Sequence, residues 1–196
     1  MEFDGLINEI KKCKICEETF GFEPRPITFG HKRALIAQIG QAPSLTVSKT
    51  GKFFTDKSGD KLKYEWYDIT DEEFYDEDNF YMSGMSHCYP GKNLHGGDKH
   101  PPKICYDRWV KKEIEFLENE LFIIIGSYAA DRLFPNENFE DLIFKDNLLN
   151  DKLAFVLPHP SPLNFRWFKQ HPNFAEKRLP EIRKTIKEVL NKNKDM

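Results

Sequence analysis

One stretch decides the fold: Ala34-Leu35-Ile36-Ala37-Gln38-Ile39-Gly40-Gln41-Ala42-Pro43-Ser44. Its first six residues form a short apolar run whose length and composition predict a buried strand. The glycine and the proline that follow end the strand and predict a sharp turn. Gln41 therefore lies near a strand tip, which is where open α/β sheets bind their ligands.

Three further apolar runs predict strands of the same kind, at Phe80–Met82, Leu121–Gly126 and Leu153–Leu157. Apolar residues at helical spacing predict helices at residues 2–16, 107–120, 127–134 and 174–191. Strands that alternate with helices form a parallel sheet with helices on both faces. We therefore predict an α/β fold, a three-layer α/β/α sandwich around a central, mostly parallel four-stranded sheet, in a single domain over residues 1–196.

The composition is that of a folded globular protein, with 39% hydrophobic and 31% charged residues. No apolar run is long enough to cross a membrane, so we expect no membrane association. Residues 1–5 are acidic and lack the basic and apolar regions of a signal peptide, which predicts a cytoplasmic protein. We also expect the chain to be a monomer.

The charge is unevenly distributed along the chain. A formal net charge of −3 argues mildly against a nucleic-acid partner. From His159 to the end, however, there are nine Lys or Arg residues against four Asp or Glu, whereas residues 67–80 contain seven acids and no base. We expect the acidic run to form a solvated face and the C-terminal side to be the one that attracts phosphate.

The last predicted strand leads into a second notable stretch, His159-Pro160-Ser161-Pro162-Leu163-Asn164-Phe165-Arg166-Trp167. The two prolines around Ser161 restrict the backbone, so the loop presents its side chains in fixed directions. A histidine at the end of a strand is well placed to meet a ligand. The alternative is a proline-rich turn that carries an ordinary surface histidine.

Two adjacent phenylalanines, Phe53 and Phe54, lie in the polar, glycine-bounded loop 50–62. Such a pair is unusual in a polar loop. Either one of them fills the core, or one forms the wall of a pocket for a flat ligand.

Four cysteines in a cytoplasmic chain indicate metal ligands or reactive thiols before disulfides. Cys13 and Cys16 form a Cys-x-x-Cys pair that we place at the end of the first helix, whereas Cys88 and Cys105 flank a loop rich in glycine and proline. Two close cysteines and two that flank a loop can make a four-thiolate site for iron–sulfur or zinc. The alternatives are four small buried residues, or a site in which His87 or His100 replaces a cysteine.

In order along the chain, three segments resemble motifs of the uracil-DNA glycosylase superfamily, and specifically of its iron–sulfur branch, families four and five. Residues 40–44 resemble its Gly-x-Ala-Pro-Gly motif, residues 50–54 its Thr-Gly-Arg-Pro-Phe segment, and residues 159–164 its His-Pro-Ser-x motif. The cysteines fall where that branch has its cluster ligands. The resemblance covers roughly residues 5–190.

The resemblance implies a DNA repair glycosylase that flips a damaged base, typically uracil, out of DNA and hydrolyses its N-glycosidic bond. It implies a catalytic pair, in which His159 stabilises the departing base and Gln41 orients the water. Phe54 would stack on the base, within a substrate-binding set of Gly40, Ala42, Phe54, Ser83 and Asn164. The implied DNA-binding residues are Pro43, Ser44, Ser161, Pro162, Leu163 and Arg166, with Leu163 as a wedge in the base stack. The implied cofactor is a 4Fe-4S cluster, or zinc in the same site, on Cys13, Cys16, Cys88 and Cys105.

The sequence departs from the family pattern at two places. Family four has a glutamate where this chain has Gln41, and family one has an aspartate where it has Ala42; Asp56 or Asp60 could supply the carboxylate instead. The family's base-reading asparagine, four residues before the third cysteine, is replaced by Gly84. The alternative function is therefore a nucleic-acid-binding member of the same fold with weak or altered excision. A third interpretation, a metal or redox protein built on the same sheet, rests on the cysteines alone.

Overall fold

A five-stranded sheet forms the centre of the computed structural model, which describes residues 2–192. Its strands are β1 (Ile36–Gly40), β2 (Phe80–Gly84), β3 (Leu121–Ile125), β4 (Asn147–Leu149) and β5 (Lys152–Leu157). They are ordered β2-β1-β3-β5-β4, and all neighbouring pairs are parallel except the antiparallel pair β4–β5. The predicted α/β fold with a mostly parallel sheet is confirmed, with one strand more than the predicted number.

The helices surround this sheet. They are α1 (Phe3–Lys11), α2 (Ile15–Phe20), α3 (Leu45–Thr50), α4 (Lys57–Asp60, continued by the π-helical turn Lys61–Tyr67), α5 (Asp71–Phe74), α6 (Lys103–Cys105, continued by the π-helical turn Tyr106–Val110), α7 (Lys111–Phe116), α8 (Ser127–Leu133), α9 (Phe139–Phe144), α10 (Phe165–Gln170, preceded by the 3-10 turn Pro162–Asn164) and α11 (Leu179–Asn191, preceded by the π-helical turn Phe174–Arg178). Within residues 2–192, none of them is both long and apolar enough to span a bilayer.

Neighbouring residues of β2 contact opposite layers of the sandwich, because successive side chains of a strand point to opposite faces. On one face, Phe80 stacks on Tyr67 with 6.2 Å between ring centroids and packs against Phe74 at 5.1 Å. On the other face, Tyr81 meets Phe3 of α1 edge to face at 5.9 Å. Helices therefore cover both faces, which explains why every residue of β2 and β3 is buried.

The additional strand is β4, a short edge strand that forms a hairpin with β5. The hairpin turns at Asn150 and Asp151, whose φ angles of 51° and 60° are both positive. Two consecutive residues of this kind make the turn that best matches the twist of paired strands. The Asn-Asp pair was the available signal, but a strand of three residues has too little alternation to be recognised.

The helix predicted for residues 2–16 is two helices. The first ends at Lys11, so Cys13 lies in the connecting turn, and Cys16 lies on α2. The Cys-x-x-Cys pair therefore spans a break between helices instead of closing one helix. Cys13 N donates to Ile10 O at 3.0 Å in this turn, which fixes the backbone where the first thiol projects.

The other predicted helices are present with small shifts. The segment predicted at 107–120 is helical from 103 to 116, because Leu117 adopts extended backbone that leads directly into β3. The helices predicted at 127–134 and 174–191 are found at 127–133 and 174–191. Apolar spacing thus located the helices but not the residues at which they end.

The edge hairpin depends on Asn147, a buried asparagine in β4. Its amide donates to the carbonyl oxygens of Leu142 at 2.9 Å, Lys145 at 3.2 Å and Ala154 at 3.3 Å. We predict that Asn147→Ala lowers the free energy of unfolding by about 1–3 kcal/mol, because buried acceptors lose their donor. Urea denaturation of both proteins measures this difference.

Leu148 provides the matched control, since it is the next residue of β4 and its side chain is 68% exposed. Leu148→Ala should change the free energy of unfolding by no more than about 0.5 kcal/mol. Equal losses in the two variants would contradict the assignment of the stability to the Asn147 amide.

Candidate active site

A cavity of about 580 Å³ opens at the carboxyl ends of the parallel strands. The strand ends supply its floor, with Gly40 from β1, Ser83 from β2, Ile125 from β3 and His159 after β5. The cavity brings together most of the predicted catalytic, substrate-binding and DNA-binding residues, namely Gly40, Gln41, Ala42, Pro43, Ser44, Phe54, Ser83, His159, Ser161 and Leu163. The location is the one that parallel α/β sheets use for ligands.

The turn after β1 lies directly against the end of β2. Met85 N donates to Gly40 O at 3.0 Å, and a Cβ atom added at Gly84 would lie 3.2 Å from backbone atoms of Gln41 and Ala42. Only a glycine allows this approach without displacement of the turn. The glycine that replaces the family's asparagine is therefore part of the architecture of the cavity.

The same turn continues into α3, whose first turn is capped from within the motif. Ser44 accepts a hydrogen bond from Val47 N at 3.2 Å through its hydroxyl oxygen, as an N-cap residue does. Pro43 is buried, and its ring fixes the backbone just before the cap. The segment that carries Gln41 is therefore held rigidly at both of its ends.

The imidazole of His159 faces the cavity with a defined tautomer. Its Nδ1 accepts a hydrogen bond from Ser161 N at 3.1 Å, which leaves the proton of the neutral ring on Nε2. The ring is open to the cavity, but the surrounding walls exclude much of the bulk water, and this desolvation lowers the pKa of His159, while the charge of Asp56 acts in the opposite direction. The site therefore holds a neutral imidazole that can donate one hydrogen bond from Nε2.

Asp56 is the carboxylate of the cavity that acts on His159. It caps α4 by accepting a hydrogen bond from Gly59 N at 3.0 Å, and it lines the cavity close enough to His159 to influence its pKa. Asp60, the other acid considered from the sequence, instead lies 3.9 Å from the buried Lys63 and is 60% exposed. The cap explains the difference, because it points the Asp56 side chain back over the start of its own helix.

Phe53 and Phe54 both line the cavity, but they are buried to different degrees. Phe53 is 7% exposed and belongs to the core, whereas Phe54 is partly buried and packs against the core from the cavity side. Phe54 has a φ of 53°, and its carbonyl accepts a hydrogen bond from Tyr75 at 3.2 Å. A bulky residue in this left-handed conformation is strained, and strain of this kind accumulates at functional sites.

The loop after β5 forms the outer rim of the cavity. Leu163 is 86% exposed on a 3-10 turn that begins with Pro162 and is capped by the Ser161 hydroxyl. Arg166 is exposed one turn further along, with its guanidinium over the ring of Phe165. An exposed leucine beside an exposed arginine at the mouth of a cavity is suited to contact a large ligand.

Asn164 differs in position from the other predicted substrate-binding residues. Its amide donates to His159 O at 2.8 Å, so that the side chain braces the loop that carries the histidine. It lines a second cavity of about 290 Å³ on the other side of His159 and Gln41, together with Tyr128 and Trp167. Pro162 and Arg166 line neither of these two cavities.

Several residues of the main cavity were not predicted as part of it, and two of them carry titratable side chains. Asp98 and His100 reach it from the loop that precedes α6, and the His100 ring stacks on Tyr128 with 5.0 Å between centroids. His100 was considered from the sequence as a replacement metal ligand, but it lies on the wall of the main cavity. Only the histidine itself marked this loop, since long loops fold by contacts that local patterns do not encode.

The four cysteines line one small pocket, together with His87 and Trp109. Trp109 Nε1 donates to Cys13 Sγ at 3.3 Å. Burial raises the pKa of Cys88 and of Cys105 to about 12, and the neighbouring thiols act in the same direction. Thiols held this deeply are poor nucleophiles, so the pocket does not have the character of a redox-active site.

The donor set of this pocket fits a thiolate-bound metal group. Four sulfur atoms around one largely apolar pocket are the ligands that iron–sulfur clusters and structural zinc use. Among residues 2–192, no three His, Cys, Asp or Glu side chains are drawn together tightly enough to hold a single metal ion as they stand.

The crowding at Gly84 generates a prediction about restoring the family's asparagine. We predict that Gly84→Asn lowers the free energy of unfolding by about 1–3 kcal/mol, because the new side chain must displace the backbone of the adjacent turn. Gly40→Ala is the matched control, since a Cβ atom there would meet nothing within 4 Å. Urea denaturation of the two variants measures the difference, and an equally mild effect of both would contradict the crowding argument.

Comparison with protein families agrees with this geometry. The family model described as the uracil DNA glycosylase superfamily matches residues 27–183 of the 196-residue chain. The match includes the turn after β1, the Phe54 loop, the end of β2 and the His159 loop, and thus every wall of the main cavity. It also includes two of the four cysteines, Cys88 and Cys105. The chain belongs to the uracil DNA glycosylase superfamily.

Proposed function

We propose that the protein is a DNA repair glycosylase that binds a flipped base, with uracil as the typical substrate, and hydrolyses its N-glycosidic bond. The observation that carries the proposal is the neutral His159, which has its proton on Nε2 and lines a cavity that has Phe54 as one wall and Leu163 at its mouth. Superfamily membership supports glycosylase chemistry in general. The substrate and the roles of individual residues are our proposal.

His159 would act on the leaving group. Cleavage of the glycosidic bond develops negative charge on an oxygen of the departing pyrimidine, and a donor aimed at that oxygen stabilises the charge. A neutral imidazole does this without giving up its proton, and the lowered pKa of His159 keeps the ring neutral near pH 7. The Asn164 amide and the Ser161 backbone hold the ring in place by hydrogen bonds to the same loop.

Gln41 and Asp56 would handle the attacking water. Gln41 can orient a water molecule by its amide but cannot remove a proton from it. Asp56 is a carboxylate in the same cavity, so it can accept that proton and can also stabilise positive charge on the sugar. The two residues together would supply what a single acid in the first motif supplies in family four.

The rim of the cavity would contact the DNA. Leu163 would enter the base stack in place of the flipped nucleotide, and Arg166 would bind a phosphate beside it. The DNA backbone would be compressed from the two sides of the opening by four residues, Pro43, Ser44, Ser161 and Pro162. Phe54 would stack on the base, a contact worth roughly 1–3 kcal/mol.

The basic C-terminal side contributes less to this surface than its charge count suggested. Lys187 pairs with Asp68, Lys192 pairs with Glu120, and Arg178 is buried beside Asp146. These charges are neutralised locally, so they hold α11 to the rest of the molecule. We therefore expect the attraction for phosphate to be concentrated near Leu163, on Arg166 and Lys169.

We also propose that Cys13, Cys16, Cys88 and Cys105 hold a 4Fe-4S cluster, as in the iron–sulfur branch, with zinc in the same site as the alternative. Four thiols around one largely apolar pocket are a donor set that suits a cluster, and structural zinc takes the same four ligands. A bound cluster would supply a cross-link between the α1–α2 turn and the segments at Cys88 and α6. Because Cys13 and Cys16 are remote in sequence from Cys88 and Cys105, such a link would close long loops.

A second function remains supported by one observation: the chain has no asparagine at Gly84, and a side chain there would press against the backbone of Gln41 and Ala42. This favours a nucleic-acid-binding member of the fold with weak or altered excision. Product release from oligonucleotides that carry uracil, hypoxanthine, xanthine or a mismatched thymine distinguishes the two functions. Release of one of these bases at a catalytic rate supports the glycosylase, whereas binding without release supports the alternative.

We predict that His159→Ala lowers the single-turnover rate on the preferred base by on the order of a hundredfold, with little change in DNA affinity. The reason is that the lost donor, worth about 3 kcal/mol, acts on charge that exists only near the transition state. Gln41→Ala should cost less, because the amide only positions the water. Rates and DNA affinities of both variants test this order.

The pH dependence of the excision rate gives a second test of the role of His159. Because burial lowers the pKa of His159 from the ordinary value of 6.5, the rate should persist as pH falls through 6.5 and should decline only in more acidic solution. Asp56→Asn removes both the proposed proton acceptor and the charge that raises this pKa, so it should lower the rate at every pH and move the decline to still lower pH. A His159→Ala protein that melts several degrees lower but, while folded, excises at the parent rate would remove the histidine from the mechanism.

We predict that protein purified without oxygen is brown and contains iron and acid-labile sulfide. Cys88→Ser should lose most of the iron, because a ligand is replaced. Trp109→Phe is the control, since it retains all four thiols and loses only the hydrogen bond to Cys13. Colourless parent protein with one bound zinc would replace the cluster by the zinc alternative.

A further inference from the structure

A buried carboxylate behind the cavity takes no part in the chemistry described above. Glu113 of α7 is 0% exposed and accepts hydrogen bonds from the Tyr81 and Ser83 hydroxyls, with 3.0 Å between Ser83 Oγ and Glu113 Oε2. His87 Nε2 lies 3.4 Å from the same carboxylate oxygen. Tyr81 and Ser83 reach Glu113 together because they are alternate residues of β2 and so share one face of the sheet.

The direction of these hydrogen bonds is fixed by chemistry. The Tyr81 and Ser83 hydroxyls each donate a hydrogen bond to the Glu113 carboxylate, whose oxygens accept. Tyr81 retains its proton, because burial and the adjacent Glu113 raise the pKa of its phenol well above the ordinary range. A buried carboxylate needs several such donors to offset its loss of water, which commits Ser83 to this role.

This commitment determines what Ser83 can offer to a ligand. A serine hydroxyl has one proton and two lone pairs, and the proton of Ser83 lies in the hydrogen bond to Glu113. Ser83 is 7% exposed at the end of β2, and it lines the main cavity. Toward the cavity it can therefore only accept a hydrogen bond, which makes it opposite in polarity to the Nε2–H donor of His159.

We propose that Glu113 is a positioning residue that holds Ser83 as an obligate acceptor, and that Ser83 selects bases with an imide N–H. This inference rests on the proposed function, since it requires a base in the cavity. Uracil and xanthine present such an N–H between two carbonyl groups, and hypoxanthine presents the related lactam N–H beside one carbonyl oxygen, so the pair His159 and Ser83 matches the alternation of acceptor and donor on their edge. Cytosine presents a lone pair at the corresponding nitrogen, which would oppose the lone pairs of Ser83.

His159 and Ser83 together would substitute for the base-reading asparagine that Gly84 replaces. A base-reading asparagine both donates and accepts through one amide. Here the two functions are divided between His159, which donates, and Ser83, which accepts. Removal of a matched acceptor leaves the base N–H without a partner in a dry site, and this is the usual source of strong discrimination.

The test compares single-turnover excision of uracil and of 3-methyluracil, which lacks the imide N–H, from otherwise identical oligonucleotides. We expect Ser83→Ala to lower the uracil rate about tenfold, as loss of one hydrogen bond would, and to change the 3-methyluracil rate by no more than about twofold. Glu113→Gln should have the same signature, because its amide N–H₂ can donate to Ser83 and so release the hydroxyl proton toward the cavity.

Tyr81→Phe is the matched control, because it removes one donor from Glu113 and leaves the Ser83 contact intact. Its ratio of uracil to 3-methyluracil rates should equal that of the parent, even if its melting temperature falls. If Glu113→Gln does not fold, Ser83→Ala alone still decides, since it removes a single oxygen atom.

The outcomes separate this inference from the function on which it rests. A parent protein that excises uracil while Ser83→Ala retains the parental rate ratio would overturn the role of Ser83 and Glu113 alone. Equal losses on both bases would do the same, because they would indicate a structural role. A parent protein that releases neither base nor any other tested base would overturn the glycosylase and this inference together.

Discussion

The parallel pairing of β1 with its two neighbours is the constraint on which the rest of the structure depends. It places Gly40 beside Gly84 and aligns the carboxyl ends of β1, β2 and β3 at one edge. Backbone hydrogen bonds fix this register, and the absence of a side chain at Gly84 lets the turn after β1 close against β2. The cavity opens at this edge of the sheet, next to the aligned ends of the three strands.

Polarity within the cavity is set by groups behind its walls. The N–H of Ser161 donates to His159 Nδ1 and so leaves the ring proton on Nε2, and Glu113 accepts the hydrogen bond that the Ser83 hydroxyl donates. In both cases a neutral side chain that can donate or accept is restricted to one direction by a hydrogen bond outside the cavity. Such restriction costs no reorganisation when a ligand binds, which is the basis of electrostatic preorganisation.

Several features of the cavity were predictable in kind but not in detail. The pair of phenylalanines indicated either a core residue or a pocket wall, and in the structure both residues line the cavity while Phe53 also belongs to the core. Two aspartates of one loop were equivalent in sequence, but only Asp56 faces His159, because its helix cap directs it there. Local patterns identify residue types suited to a role, and packing then selects among them.

The sequence by itself determined the strands of the parallel sheet and the order of the motifs at their ends. These depend on short apolar runs and on glycine and proline, whose effects on the backbone are local. The tertiary structure alone decided that Ser83 donates a hydrogen bond to Glu113, a residue 30 positions away, and that a side chain at Gly84 would crowd the backbone of Gln41 and Ala42. Contacts of this kind depend on the register of the sheet and on the helix packed against it, and no local pattern of residues encodes either.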